Sequence, residues 1–353
     1  MDYDIKRSVS LYSYQDEYYN GQLDLEGCLR ETAKTGATGV ELLAEQMIRR
    51  FPIVTEAFKE QWFQWLKKYG LEATCYDAFL ENHIYDNRTL TLKEQVDMMC
   101  RDINLASELG FKTLRTLVST PMNVIEGSLD DAAKKNVKLG IEVHSPFSLN
   151  SGWADGYMEM ILRTGTKHFG FIPDFGIFCK RIPDVLTAKA RRQGASSECI
   201  KIVDHAFEER VHKGFVKIKY DTDLGKANRE YMEANGLPKL VEAIEKANGN
   251  QADMAYAMSS FAYTWCDPQD IIDNISYIYH THAKCYNTDE NYVETSVAIN
   301  EVVEAYKKAG YHGYLSTEYE GGEALRDTME VDSIEQVRRH QEALKRAIEE
   351  QEA

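Results

Sequence analysis

Glu142 and His144 stand two residues apart in VKLGIEVHSP (137–146), a run that is otherwise largely apolar. In an extended strand that spacing puts both on one face with Gly140, while Leu139, Ile141 and Val143 take the other. A carboxylate can hold a metal ion, and an imidazole with an intrinsic pKa near ~6.5 can also move a proton close to neutral pH. Residues of the same kinds recur further along: Asp174 in GFIPDFG, His280 and His282 in ISYIYHTHAK, and Glu318 in GYLSTEYEG. Three carboxylates and one imidazole, from His280 or His282, make an oxygen-rich set. It suits Mn²⁺ or Mg²⁺, with Co²⁺ or Fe²⁺ as alternatives, better than a structural zinc, and it leaves positions open for substrate oxygens. Each residue alone has an ordinary structural explanation, a hydrogen-bonded core histidine or a salt-bridged glutamate. Four at successive strand ends point to a site.

Regular alternation of strands and helices must position them. Short handovers, TGATGVEL, YGLEATCY, LGFKTLRT, TGTKHFGFI and AGYHGYLS, carry the chain from a glycine-ended helix into the next strand. Eight strands are expected near 8–14, 38–43, 71–77, 111–118, 137–144, 169–174, 276–284 and 313–318. With no GxGxxG after the first strand, this predicts an α/β fold, a (β/α)8 TIM barrel, rather than a doubly wound sheet. Between them, Thr55 to Tyr69 reads as a helix whose aromatic stripe is core, and Val293 to Lys308 and Ile334 to Ile348 as the closing helices. The chain is expected to form one barrel domain over 1–353, interrupted by an insertion over 180–275. That insertion is mainly helical, with helices at Ser197 to His212 and Leu237 to Ala247, a short strand at Phe215 to Tyr220, and an aromatic stretch ending at Trp265. On a barrel it leaves from the catalytic face, where it could serve as a lid, a subunit-contact region or a structural decoration.

The formal charge of −16 and pI of about 5.1 argue against a nucleic-acid partner, which needs an electropositive surface. The seven cysteines are scattered, without a CxxC pair, and read as reduced thiols. The opening MDYDIKRSVSLYSYQ has no signal-peptide core, and no run reaches the ~18 apolar residues of a membrane span. A cytoplasmic protein is expected.

The combination IEVH, PD, HTHAK and STEYEG, in that order, resembles the xylose isomerase-like sugar isomerase/epimerase superfamily, over the barrel to about Gly322 but not over the insertion. The resemblance implies one divalent ion, Mn²⁺ first, held by Glu142, Asp174, His282 and Glu318. It selects His282 over His280 because the family's ligand precedes a lysine by two positions, here Lys284. His280 and Lys284, on the same strand face, are expected to bind substrate. Ketose epimerases of the superfamily carry a histidine three residues after the metal aspartate, where this chain has Ile177. The SVSLYSYQ opening, His144 beside Glu142 and the HxHAK strand are instead similar to the alpha subunits of bacterial C-glycoside deglycosidases. That likeness implies a small β-rich partner subunit in a heteromer, and cleavage of the carbon–carbon bond of a sugar oxidised to its 3-keto form.

His144, not itself a ligand in this scheme, is the expected catalytic base, removing the C2 proton of a 3-oxo-glycoside to give an enediolate. Expulsion of the aglycone makes the enzyme a lyase; reprotonation would make it a sugar or sugar-phosphate isomerase or epimerase acting on a keto sugar. An endonuclease IV-like repair enzyme is disfavoured by the charge and by nine histidines in all. A non-catalytic binding barrel is the remaining alternative.

Overall fold

Because each strand is followed by a helix that returns the chain to the strand's starting end, successive strands pair in parallel. The computed structural model describes residues 2–350. Its strands are β1 (Asp4–Ser10), β2 (Gly39–Leu43), β3 (Glu72–Asp77), β4 (Thr113–Thr116), β5 (Lys138–Val143), β6 (Phe169–Pro173), β7 (Thr281–Cys285) and β8 (His312–Tyr319). They form one parallel sheet in the order β6-β5-β4-β3-β2-β1-β8-β7. Between β6 and β7 the ladder thins to two bridges, Phe171 to Ile278 and Asp174 to His282, which close the sheet into a (β/α)8 near-barrel. The long, largely helical insertion departs at this seam.

The apolar rows of the strands face the helices. Leu139, Ile141 and Val143 are buried on the outside of β5, each contributing about 1.5–3 kcal/mol by leaving water. The helix Glu56–Tyr69 shows how the boundaries are set. Thr55 caps its start by accepting from the Phe58 amide at 3.2 Å, and Gly70 ends it in the left-handed region at φ 66°. Inside the barrel space is short. A Cβ on Gly140 would come within 2.5 Å of the Ile172 side chain, so the residue preceding Glu142 on the inner face of β5 has to be glycine.

Several expected elements are corrected. Leu11–Tyr14 does not extend β1 but forms a 3-10 turn; Ser13 Oγ pins it across the end of β8, donating to the Thr317 carbonyl at 3.1 Å and accepting from the Tyr319 amide at 2.9 Å. No strand forms over 215–220. The Asn235 side chain takes both the amide (2.9 Å) and the carbonyl (3.0 Å) of Val216, supplying the partners that a neighbouring strand would have supplied. The helix expected from Val293 begins only at Ile299, because the Glu294 carboxylate gathers the amides of Tyr286 (3.1 Å) and Val297 (2.7 Å) into a loop. Strand β7 starts at Thr281, after a 3-10 turn at Ile275–Tyr277.

Within the insertion, helices Asp184–Arg192, Ser197–Lys213, Leu224–Ala234, Leu237–Lys246, Gln251–Ser259 and Gln269–Asn274 pack on one another and on the barrel. Its aromatic stretch is tied down beside the seam. The Cys179 amide donates to the Thr264 carbonyl at 2.8 Å, and the Cys266 amide to the Ile177 carbonyl at 2.9 Å. Among the described residues no helix is long and apolar enough to cross a membrane.

Candidate metal centre and active site

Strand ends β5, β6, β7 and β8 bring Glu142, Asp174, His282 and Glu318 into one buried group, with one ligating atom of each within 4.8 Å of the others. The Asp174–His282 bridge at the barrel seam sets two of them side by side. His282 Nδ1 lies 3.0 Å from Glu142 Oε1 and 3.4 Å from Glu318 Oε2. Asp174 Oδ1 accepts from the Gly176 amide at 2.6 Å, which turns its other oxygen toward the group. Lys284 Nζ sits above, 2.7 Å from Asp174 Oδ2, 3.3 Å from Glu318 Oε2 and 2.9 Å from Glu320 Oε1.

The first half of the barrel supplies charged residues that the sequence reading passed over. Glu41 in β2 faces two histidines, with Oε1 3.0 Å from His282 Nε2 and Oε2 2.7 Å from His280 Nε2. Arg115 in β4 is buried with Nε 2.9 Å from Asp77 Oδ1, at the end of β3, and 3.7 Å from Glu142 Oε2; its Nη2 is 3.9 Å from Glu318 Oε1. A signal for them existed: GVELL, EATCYD and TLRT each carry one charged residue away from the exposed start of the strand, Glu72 being the exposed first residue of β3.

His280 does not take the place expected for a substrate-binding residue. It is buried beneath the group with its ring on Glu41 and is not part of the cavity lining. Lys284 does line that cavity. So does His144, which follows β5 half-buried, its ring edge-on to Phe147. Its Nδ1 is 2.8 Å from the Ser145 carbonyl and therefore carries the proton, which leaves the Nε2 lone pair unassigned. Burial lowers its pKa against the pull of Glu142, so the imidazole is neutral at neutral pH.

Five buried carboxyl groups (Glu41, Asp77, Glu142, Asp174 and Glu318) surround Arg115, Lys284 and His282. Burial pushes Asp77 and Asp174 up toward their neutral forms, while, against burial, Glu41, Glu318 and Glu142 push the His282 imidazole up toward its charged form. Uncompensated buried charge costs several kcal/mol per ion, on the order seen for unpaired groups in protein interiors. Against the effect of burial, Arg115 and His282 hold Glu142 well below the usual carboxylate range, and His282 and Lys284 hold Glu318 at about 2. Burial would discharge Lys284, but Asp174, Glu320 and Glu318 keep its ammonium charged. Asp174 Oδ2 and Glu318 Oε2 accept no hydrogen bond among the described residues and are met by ionic contacts alone. Carboxyl oxygens with unused lone pairs, beside an imidazole whose far nitrogen lies 3.0 Å from a carboxylate, fit a divalent metal ion.

Above this floor opens a cavity of about 520 Å³. Tyr12, Phe79 and Tyr286 stand in its wall, and the insertion contributes Ala262 and Tyr263. Tyr263 packs edge-on against Tyr286 with ring centroids 5.4 Å apart.

A parallel eight-stranded barrel with a buried carboxylate–imidazole cluster at its C-terminal strand ends is the arrangement of the xylose isomerase-like TIM barrels, and this chain belongs to that family. The xylose isomerase-like TIM barrel family matches residues 29–212. Among curated relatives, the C-glycoside deglycosidase alpha subunit of Arthrobacter globiformis is 27% identical over 347 residues, covering 98% of this chain and 93% of that protein. The 3'-dehydrocarminate deglycosidase alpha subunit of a Microbacterium species is 26% identical, covering 89% of this chain and 87% of that protein. Among solved structures, L-ribulose 3-epimerase shares the fold with a TM-score of 0.53 at 11% identity, over 98% of this chain and 95% of that one.

Proposed function

We propose that this chain is the catalytic barrel of a divalent-metal-dependent carbon–carbon lyase, one that takes the C2 proton from a 3-oxo-C-glycoside and releases its aglycone. One observation carries the reading: the imidazole of His144, with Nε2 uncommitted, lines the same cavity as Glu142, Asp174 and Glu318 without being part of the cluster that those three form with the buried His282. A base separate from the ligands can accept a proton without giving up its hold on the ion. Two relatives named as deglycosidase alpha subunits, similar over most of their length, support the same substrate class and a second subunit, which this reading takes to be small and β-rich.

In this reading Glu142, Asp174, His282 and Glu318 hold the ion, with Mn²⁺ the first candidate. When bound, it supplies Lewis-acid polarisation of the substrate's keto oxygen and so makes the neighbouring C–H acidic. Lys284 orients a substrate oxygen over the floor, and His280 acts through Glu41 rather than on substrate. His144 Nε2 receives the C2 proton. Residues 1–353 act as one barrel unit, in the cytoplasm, and the 180–275 insertion walls the cavity and meets the partner subunit.

The test is incubation of the Mn²⁺-loaded protein, with and without the small subunit, with 3-oxo C- and O-glycosides and with free ketoses. Released aglycone is the expected product. Isomerised or epimerised ketose with no aglycone released would replace the lyase by an isomerase or epimerase using the same centre.

A further inference from the structure

The cavity above the metal cluster also holds a hydrogen-bonded phenol–carboxylate pair, on the side opposite His144. His144 follows β5, and Tyr12 lies in the turn that follows β1. In the strand order these two strands are four places apart out of eight, so they stand across the barrel from one another. Both residues line the same cavity, with the Glu142–Asp174–His282–Glu318 group at its floor. The Tyr12 hydroxyl donates to Glu323 Oε1 at 3.1 Å. Glu323 also lines the cavity, yet its side chain is 52% exposed, so one carboxylate touches both the phenol and bulk water. Tyr263 and Tyr286 share the cavity, but among the described residues no carboxylate accepts from either hydroxyl. Tyr12 has both a place across the barrel from the base and, through Glu323, a route to solvent.

We propose that Tyr12 is the catalytic acid that protonates the departing aglycone, and that Glu323 returns the proton to it from water. This rests on the lyase reading above. His144 Nε2 takes the C2 proton, and the C2–H electron pair becomes the C1=C2 bond. The C1–aglycone bond breaks with its pair on the aglycone carbon, which takes the phenolic proton of Tyr12. The phenolate then regains a proton from water through Glu323, and His144 loses its own to water. One proton leaves C2 and one arrives on the aglycone, so no oxidant or reductant is required. Burial, with Glu320 and Glu323 nearby, raises the phenol above its ordinary range. The proton therefore stays on Tyr12 until a strongly basic carbon develops beside it.

The decisive experiment uses the metal-loaded, fully assembled enzyme in D2O with a 3-oxo-C-glycoside, comparing wild type, Tyr12→Phe and His144→Ala. Deuterium entry at C2 is followed by NMR and aglycone release by absorbance. Tyr12→Phe is expected to lose about 10²- to 10⁴-fold in release, the range of general-acid contributions, with unchanged KM and with C2 exchange at the wild-type rate. His144→Ala loses both. An O-glycoside whose phenol leaves easily should be less affected by Tyr12→Phe than the C-glycoside. Exchange and release falling together in Tyr12→Phe, a rise in KM alone, or no change would overturn the assignment. A wild type that releases no aglycone from any glycoside would instead overturn the lyase reading, and Tyr12's role with it. The two failures are distinct, because in the first the wild type turns over normally.

Discussion

Glu41 Oε1 lies 3.0 Å from His282 Nε2, on the side of the ring away from Glu142 and Glu318. A carboxylate in ionic contact behind the imidazole favours a proton on that nitrogen and leaves the other facing the metal group. The same glutamate holds His280 through its second oxygen, so one side chain orients two rings.

Glu41→Gln keeps the shape and removes the charge behind His282. Metal affinity is expected to fall about 10- to 100-fold, as for other outer partners of metal ligands. Titration calorimetry with Mn²⁺ measures it directly, and an unchanged Kd would mean the ring is held by packing alone.

Glu142→Gln and Glu318→Gln each replace an ionised, buried oxygen donor with a neutral amide. Both variants should emerge from purification stripped of metal by elemental analysis. Wild-type metal content in either would remove that residue from the ligand set.

His144→Ala should keep its metal and lose turnover by about 10²- to 10⁴-fold, the span of general-base effects. Loss of the ion from this variant would turn His144 from a base into a ligand.

His340 is fully buried, with Nδ1 at 2.8 Å from Thr317 Oγ1, and burial pushes its pKa from 6.5 down to about 3. Between those values the unfolded chain binds a proton that the folded chain refuses. Stability from this group is therefore complete above pH 6.5 and drains away as pH falls toward 3, at about 1.4 kcal/mol per pH unit. Denaturant titrations of wild type and His340→Gln from pH 7 to 4.5 should show a shallower acid loss in the variant. Parallel pH dependences would place the acid sensitivity elsewhere.

Gly140→Ala drives a methyl to within 2.5 Å of Ile172 in the barrel interior. A loss of about 1–3 kcal/mol is expected, the usual cost of overpacking, and Gly140→Ala combined with Ile172→Val should recover part of it. Equal melting temperatures for wild type and Gly140→Ala would show that β5 yields without strain.

The inward face of each strand was legible because side chains alternate with a period of two, a property that any short stretch of chain carries. That period exposed Glu142, His282 and Glu318, and it applies equally to Glu41, Asp77 and Arg115, each a charged residue on a short strand of the first half of the barrel, without a neighbouring histidine to mark it as part of a site. Glycine-ended helices likewise announced five of the helix-to-strand handovers and the break before β7. Alternation alone could not tell His280 from His282, since both share one strand face. The Asp174–His282 bridge at the seam separates the two rings, setting one in the group and leaving the other on Glu41. Nor could it place the insertion's aromatic segment against the cavity, set Tyr12 across from His144, or predict that Asn235 would satisfy Val216 where a strand was expected. Those facts depend on which strands meet when the sheet closes, and on hydrogen-bond partners tens to hundreds of residues away. Local sequence sets which way a side chain points; closure of the barrel sets what it points at.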